Sequence, residues 1–314
     1  MPKIIWVMGA RGFVGAHVSR AAADRGHVVC GLGHGAWLPD EAAAAGVSRW
    51  VNGEIDDANL DGLAEHGLPD GIIHCAGGSS VGVSLAAPFE DYSRSVTSTA
   101  RLLEWLRRRA PQCGLVLASS AAVYGGGAPE GIGESADCQP ASPYGTHKLA
   151  AEVLVRGAVR SFGTRAAIIR PFSLYGEELR KQLIWDICQK LRLHPDGLQL
   201  GGSGTELRDF VHVLDAASFF MKILEKLWSQ PSGLVVVNCG SGRAHTIRAA
   251  ASAVCAAWGA AFEPTFSGGE RAGDPVHLVA NPGHATSLGF RESVAFDEGL
   301  RRYVAWFKHR YPSR

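Results

Sequence analysis

Tyr144 and Lys148 stand four residues apart in the run Tyr144-Gly145-Thr146-His147-Lys148. On a helix that spacing puts both side chains on one face, so an ammonium can lie below a phenol. A phenol of pKa about 10 is a poor proton carrier at neutral pH, and lowering it by about three units takes roughly 4 kcal/mol. One positive charge at about 4 Å supplies that much at an effective dielectric of about 20. Lys148 is therefore expected to make Tyr144 a working proton carrier. Ser119 and Ser120 close the apolar run that precedes this helix, where ligands gather at the carboxyl edge of a parallel sheet. A surface helix that merely happens to carry Tyr and Lys is the bland alternative. Ser120 and a glycine-rich turn in the same chain weigh against it.

That turn is Gly9-Ala10-Arg11-Gly12-Phe13-Val14-Gly15, between the apolar run Ile4 to Met8 and an alanine-rich stretch reaching Arg25. Glycines at these positions let backbone N–H groups and a helix N-terminus face a pyrophosphate, because a Cβ there would hold the ligand off. The last glycine lets helix and strand pack closely. Glycine spacing alone says little in a chain with 39 glycines. Its place on the first strand-to-helix turn points to a dinucleotide, whose oxidised nicotinamide ring would add to the charge of Lys148.

The elements that must position these groups alternate. Further strands are expected at 26–33, 48–55, 70–77, 113–118 and 165–170. A long helix follows Pro88, with Leu102, Leu103 and Leu106 inward and Arg101, Arg107, Arg108 and Arg109 outward. Pro143 opens another helix, running to about Phe162. The pattern is α/β, a Rossmann-type doubly wound parallel sheet with a smaller C-terminal substrate-binding lobe. Residues 1–170 are expected to form the dinucleotide-binding domain, with a return strand near 211–240. The lobe is expected from 171–210 and 241–314.

Whole-chain properties exclude other classes. A formal net charge of +1 provides no global field for nucleic acid or anionic lipid, so an anionic ligand must be held by local groups. The seven cysteines are scattered singly, without metal-ligand or disulfide spacing, so no metal is expected. A reduced cytoplasmic setting fits. No signal-like leader opens the sequence, and the apolar stretch Ala249 to Phe262 falls short of the roughly eighteen residues a membrane span needs.

With these motifs in place the chain resembles an extended short-chain dehydrogenase/reductase of the nucleotide-sugar epimerase/dehydratase family. The likeness runs almost end to end. It includes Gly9-x-x-Gly12-x-x-Gly15, His74-Cys75-Ala76-Gly77, Ser119-Ser120-Ala121-Ala122-Val123-Tyr124-Gly125 and Ser142-Pro143-Tyr144-Gly145-x-x-Lys148. It continues through Arg170-Pro171-Phe172-Ser173-Leu174-Tyr175-Gly176, Arg208-Asp209-Phe210-Val211-His212-Val213, Asn238-Cys239-Gly240-Ser241-Gly242 and Arg271-Ala272-Gly273-Asp274.

The resemblance implies that Ser120 bonds the reacting sugar oxygen, Tyr144 moves the proton and Lys148 holds the nicotinamide ribose. It assigns cofactor contacts to Gly9, Arg11, Gly12, Phe13, Val14 and Gly15 in the first turn, and to Gly33 and His34 after the second strand. Glu54 and Ile55 match adenine contacts, and Cys75, Ala76, Gly77, Ser95, Tyr144, Lys148, Pro171 and Ser173 complete the set. For the substrate, a nucleotide-diphosphate sugar, it implies Ser79, Ser80, Ser120, Ala121, Ser173, Gln182, Arg208, Arg271 and Asp274. The two arginines would hold the diphosphate, a bidentate task suited to guanidinium. A homodimer through a four-helix bundle, built from the helices near 88–109 and 143–162, is also implied.

Departures narrow the reaction. Family dehydratases follow the catalytic hydroxyl with an acidic pair; here the places are Ala121 and Ala122, and methyl groups do no acid–base work. A 4,6-dehydratase is disfavoured. NAD-preferring members end the second strand with an acid for the ribose 2′-hydroxyl. Gly33 and His34 stand there instead, with Arg11 nearby, which favours NADP(H) over NAD(H). Family reductases consume NADPH, so the leading expectation is an NADP(H)-dependent reductase of a nucleotide-linked 4-keto sugar. The alternative is a nucleotide-sugar 4-epimerase with tightly bound NAD. A non-catalytic cofactor-sensing protein is the third reading. Ser95 and Ser173 stand where many relatives have Asn. His74, His147 and His212 are expected to be structural.

Overall fold

A computed structural model describes residues 1–127, 130–229, 233–268 and 277–312. Six strands arise where apolar runs were expected: β1 Ile4–Met8, β2 Val28–Gly33, β3 Arg49–Asn52, β4 Gly71–His74, β5 Gly114–Ala118 and β6 Arg165–Pro171. Downstream come β7 Ser173–Tyr175, β8 Gln199–Leu200, β9 Leu207–His212, β10 Gly233–Cys239, β11 Ala244–Thr246, β12 Thr265–Phe266 and β13 His277–Leu278. The main sheet has seven strands in the order β10-β6-β5-β4-β1-β2-β3, and every pairing in it is parallel. Strand order reverses at β1, so β1 and β4 open a crevice at their carboxyl ends, the place where such sheets bind ligands.

Alternation along β1 shows how both faces are buried. Ile5 and Val7 point into one apolar cluster, shared with Val29, Ile73, Val116 and Phe219, Phe220 and Met221 of the helix Val213–Trp228. Trp6 and Met8 point into the other, against Leu102 and Leu106 of the helix Ser98–Arg109 and Val155 of the helix Pro143–Phe162. Period-two alternation and two helix layers account for the near-continuous apolar strands. A third cluster joins Tyr175, Ile187 and Phe210 to Val254, Phe296 and Phe307. It underlies a small sheet in which β9 pairs with β7, β11 and β13. Among the described residues no helix is long and apolar enough to cross a membrane.

The segment after Pro88 is not one α-helix. Pro88–Tyr92 passes through a π-helical turn, Ser93–Thr97, before Ser98–Arg109 begins. Hydroxyls explain it. Ser98 Oγ donates to Arg94 O at 2.5 Å and Thr99 Oγ1 to Ser95 O at 2.6 Å, serving carbonyls that a widened turn releases. The expected faces survive, with Leu102, Leu103 and Leu106 buried and the four arginines exposed.

Candidate functional site

The first turn is shaped by its glycines. Gly9 has φ +80, its N–H reaches Leu32 O at 2.6 Å, and its carbonyl accepts from Gly12 N at 2.9 Å. A Cβ on Gly15 would overlap that same carbonyl oxygen, so only glycine lets the helix Phe13–Ala23 start so close to β1. The helix N-terminus and its N–H groups then face a cavity of about 1140 Å³ along the strand ends. That exceeds the roughly 300–1,000 Å³ of a pocket for one small molecule, and a dinucleotide with a second ligand fits the difference.

At the far end Trp50 Nε1 donates to Gly35 O at 3.2 Å and Gly35 N to Asn52 Oδ1 at 2.9 Å. His34 and Glu54 make an exposed ion pair at 3.5 Å. The Arg11 guanidinium lies against Gly35, just beyond β2. Arg11, Gly33, His34, Trp50, Glu54 and Ile55 border this end of the cavity.

Ser142 caps the helix Pro143–Phe162 by accepting from Gly145 N at 3.2 Å, and Pro143 fills its first position, a favoured start for a helix. Tyr144 thus sits in the first turn, its N–H donated to Ser84 Oγ at 3.0 Å. Its phenol and the Ser120 hydroxyl line the same cavity, and Ser120 favours the ionised phenol. Ser120 in turn accepts from Ala122 N at 3.1 Å.

Lys148 is held by the backbone as well. Its Nζ donates to Ala118 O at 2.9 Å and lies over the Tyr144 ring, 5.8 Å from its centre. Burial pushes the Tyr144 pKa up, against Ser120, and the charge of Asp91 pushes the same way. Burial also draws Lys148 down to about 8, with Lys181 adding to the fall, while Cys75, Asp91 and Glu152 oppose it.

Of the residues expected at the site, those of the first turn, Gly33, His34, Glu54, Ile55, Cys75 to Gly77, Ser79, Ser80, Ser120, Ala121, Tyr144, Lys148, Pro171, Ser173, Gln182 and Arg208 line the cavity. Ser95 does not. It is buried behind the wall, where its Oγ accepts from Gly78 N at 2.8 Å; the π turn tucks it in. Arg271 and Asp274 lie outside the described residues. His74 bonds Thr99 Oγ1 at 3.1 Å, and burial draws its pKa down to about 3. His212 caps the helix Val213–Trp228 and meets Glu177 at 3.1 Å. Among the described residues no cluster of metal-ligating side chains occurs.

Sequence reading missed three features. Lys181 lines the cavity and donates to Ser79 O at 2.9 Å. His147 Nδ1 pairs with buried Asp91 Oδ2 at 2.6 Å. Asp209, next to Arg208, accepts from Ser241 N and Oγ, Gly242 N and Ala280 N, holding the loops beside that arginine. Only the acid in Arg208-Asp209-Phe210 was a signal in the sequence, and it needed its partners after β10 and after β13 to be read.

The sheet, the glycine turn and the Ser120–Tyr144–Lys148 set define an α/β dinucleotide-binding enzyme of the extended short-chain dehydrogenase/reductase class. Residues 5–240 match the model of the NAD dependent epimerase/dehydratase family. The chain belongs to that family. It is 32% identical over 298 residues, 89% of this chain and 84% of the relative, to a UDP-glucose 4-epimerase of Azospirillum brasilense. A UDP-glucose 4-epimerase from Brucella ovis, solved with NAD, superposes with a TM-score of 0.86 at 28% identity, covering 97% of this chain and 98% of that one. MoeE5, solved with UDP-glucuronic acid and NAD, superposes with a TM-score of 0.84 at 28% identity, covering 98% and 99%.

Proposed function

We propose that this chain is a 4-epimerase of a UDP-linked hexose that keeps NAD bound through the reaction. The carrying observation is that the Ser120 and Tyr144 hydroxyls line one cavity beside the apolar Ala121 and Ala122: hydroxyls to move one proton, and no second acid–base pair for dehydration. Relatives named as 4-epimerases and solved with NAD move the reading away from the NADPH-dependent reductase expected from sequence. The missing acid after β2 then means that the ribose hydroxyl meets Arg11, His34 or Glu54 instead.

The glycine turn, Gly9 to Gly15, would hold NAD, whose chemistry when bound is to accept a hydride and return it. Tyr144 takes the proton of the C4 hydroxyl as the carbonyl forms and gives it back as the carbonyl is reduced. Ser120 holds the oxygen in both directions. Lys148, fixed at Ala118 O, stands beside the nicotinamide ribose. The ammonium of Lys148, over the Tyr144 ring, and an oxidised nicotinamide, were it bound, would both favour the phenolate. In this reading the keto-sugar turns its other face to the hydride before the carbonyl is reduced. Arg208, from β9, meets the diphosphate, with Arg271 as its partner.

In this reading residues 1–170 with the strand near 211–240 carry the cofactor, while 171–210 and 241–314 carry the sugar nucleotide. Two copies associate through the helices of 88–109 and 143–162, where Phe89 is 79%, Phe162 63% and Val153 56% exposed. The unpaired cysteines suit the cytoplasm. The test is to denature the purified protein, assay the released nucleotide, and incubate native protein with UDP-galactose or UDP-glucose alone. Released NAD and a two-way equilibrium of C4 isomers are expected. Stoichiometric NADPH consumption with a keto-sugar, and no isomerisation, would overturn the reading.

A further inference from the structure

Asp91 is a carboxylate in an unusual place. Its side chain is 1% exposed, its Oδ2 meets His147 Nδ1 at 2.6 Å, and its Oδ1 is buried with no hydrogen-bond partner among the described residues. A Cβ on Gly78 would fall on that Oδ1, and a Cβ on Gly77 would stand 3.2 Å from Lys148 Nζ. Consecutive Cα atoms are about 3.8 Å apart, so the carboxylate and the ammonium abut neighbouring residues of one backbone strip in the cavity wall. His147 precedes Lys148 on the same helix. Its ring stands edge-on to Tyr92 with centroids 5.6 Å apart, and its side chain is 15% exposed, so solvent reaches it.

The other charges nearby are already matched. Glu152 is engaged by Arg170 at 2.7 Å and by Arg156 at 3.4 Å. Arg94, in the π turn, pairs with Glu90. The helix Val81–Ala86, packed on the same side, carries no titratable side chain. Lys181 adds positive charge toward Lys148.

We infer that Asp91 and His147 are a positioning pair for the reaction, Asp91 serving as counter-charge to the Lys148 ammonium and His147, through its Nδ1, holding that carboxylate in place. The direction follows from charge: an unmatched carboxylate favours the ammonium of Lys148 and disfavours the phenolate of Tyr144. Both effects operate here, since Asp91 raises each of the two groups. The catalytic roles of Tyr144 and Lys148 come from the epimerase reading, on which this inference rests.

The experiment uses the purified NAD-containing protein and the variants Asp91→Asn and His147→Gln. Two quantities are followed against pH: kcat/KM for UDP-hexose isomerisation, and the ultraviolet absorbance of tyrosinate, with Tyr144→Phe as the blank. Asp91→Asn is expected to move both limbs of the rate profile, and the Tyr144 titration, about one pH unit lower. His147→Gln replaces the ring N–H that holds Asp91 Oδ2 and loosens the carboxylate beside Lys148, so both limbs and the Tyr144 titration are expected to move the same way by a smaller step. If the Asp91 variant does not fold, the His147 variant alone decides. Profiles that change in height while their limbs and the tyrosinate titration stay in place overturn the proposal, leaving the pair as packing. A shifted tyrosinate titration without isomerisation of any UDP-hexose sustains it and sinks the epimerase reading instead.

Discussion

Arg170 and Glu152 form a two-pronged ion pair beneath the site, Nε to Oε1 at 2.8 Å and Nη2 to Oε2 at 2.7 Å, with neither side chain reaching solvent. Ser119 Oγ donates to the same Glu152 at 2.6 Å, Arg170 Nη1 to Tyr124 Oη at 2.8 Å, and Tyr124 to Asn238 Oδ1 at 2.8 Å. The network ties the ends of β5, β6 and β10 to the helix that carries Tyr144. Removing one partner strands the other's charge, at a cost of about 3–5 kcal/mol. Glu152→Gln should lose about that much in chemical denaturation at neutral pH. A loss below about 1 kcal/mol would show that the pair behaves like a surface bridge.

Gly15→Ala tests the first turn. The added methyl overlaps the Gly9 carbonyl, so the helix must move off β1 and take its N-terminus away from the pyrophosphate position. The variant should purify without nucleotide, where the unaltered protein carries it. Equal nucleotide content in both would show that the turn does not grip the cofactor.

Tyr144→Phe removes the proton carrier and leaves the ring. Turnover should fall about 10²- to 10⁴-fold, the usual share of general acid–base catalysis, with the dissociation constant for UDP little changed. Loss of UDP binding in step with turnover would instead mark Tyr144 as a binding residue.

What the sequence revealed follows from how local each signal is. Gly9 to Gly15 and Tyr144 to Lys148 are contiguous, so spacing alone placed them at one sheet edge. The bond from Lys148 to the Ala118 carbonyl was not legible, because four-residue spacing fixes where the stems begin and not which acceptor the ammonium finds. The π turn at Ser93–Thr97 depends on hydroxyls bonding to carbonyls of the preceding turn, a choice that an apolar repeat does not encode. Asp91 and His147 lie 56 residues apart and meet only after folding. Gly33 and Arg11 were read as a preference for NADP, yet residue types near a ribose name its neighbours and not which phosphate pattern they select.

Phe89→Asp tests the expected dimer. The ring is 79% exposed beside Tyr92, itself 42% exposed, and a carboxylate there would face desolvation if a second copy covered it. Sedimentation should show dimers for the unaltered chain and mostly monomers for the variant. Identical sedimentation of the two would place any association elsewhere.

Glu177 gives a pH dependence of stability. Its Oε2 meets His212 Nε2 at 3.1 Å and its Oε1 meets Arg302 Nε at 3.0 Å. Burial alone would push its pKa up; the His212 bond, with the charges of His212 and Arg302, wins and holds it at about 2 rather than 4.5. A carboxyl group with a lower pKa folded than unfolded adds stability that is fully present above the unfolded value, and is lost as pH falls through the folded one. The contribution should therefore be complete at neutral pH, about 3 kcal/mol by the size of the shift, and should fade between about pH 4.5 and pH 2. Glu177→Gln should be less stable than the unaltered protein at neutral pH, and the gap in denaturation free energy should narrow steadily over that acid range. A gap that stays constant down to acid pH would assign the loss to packing, because a charge effect cannot survive protonation of the charge.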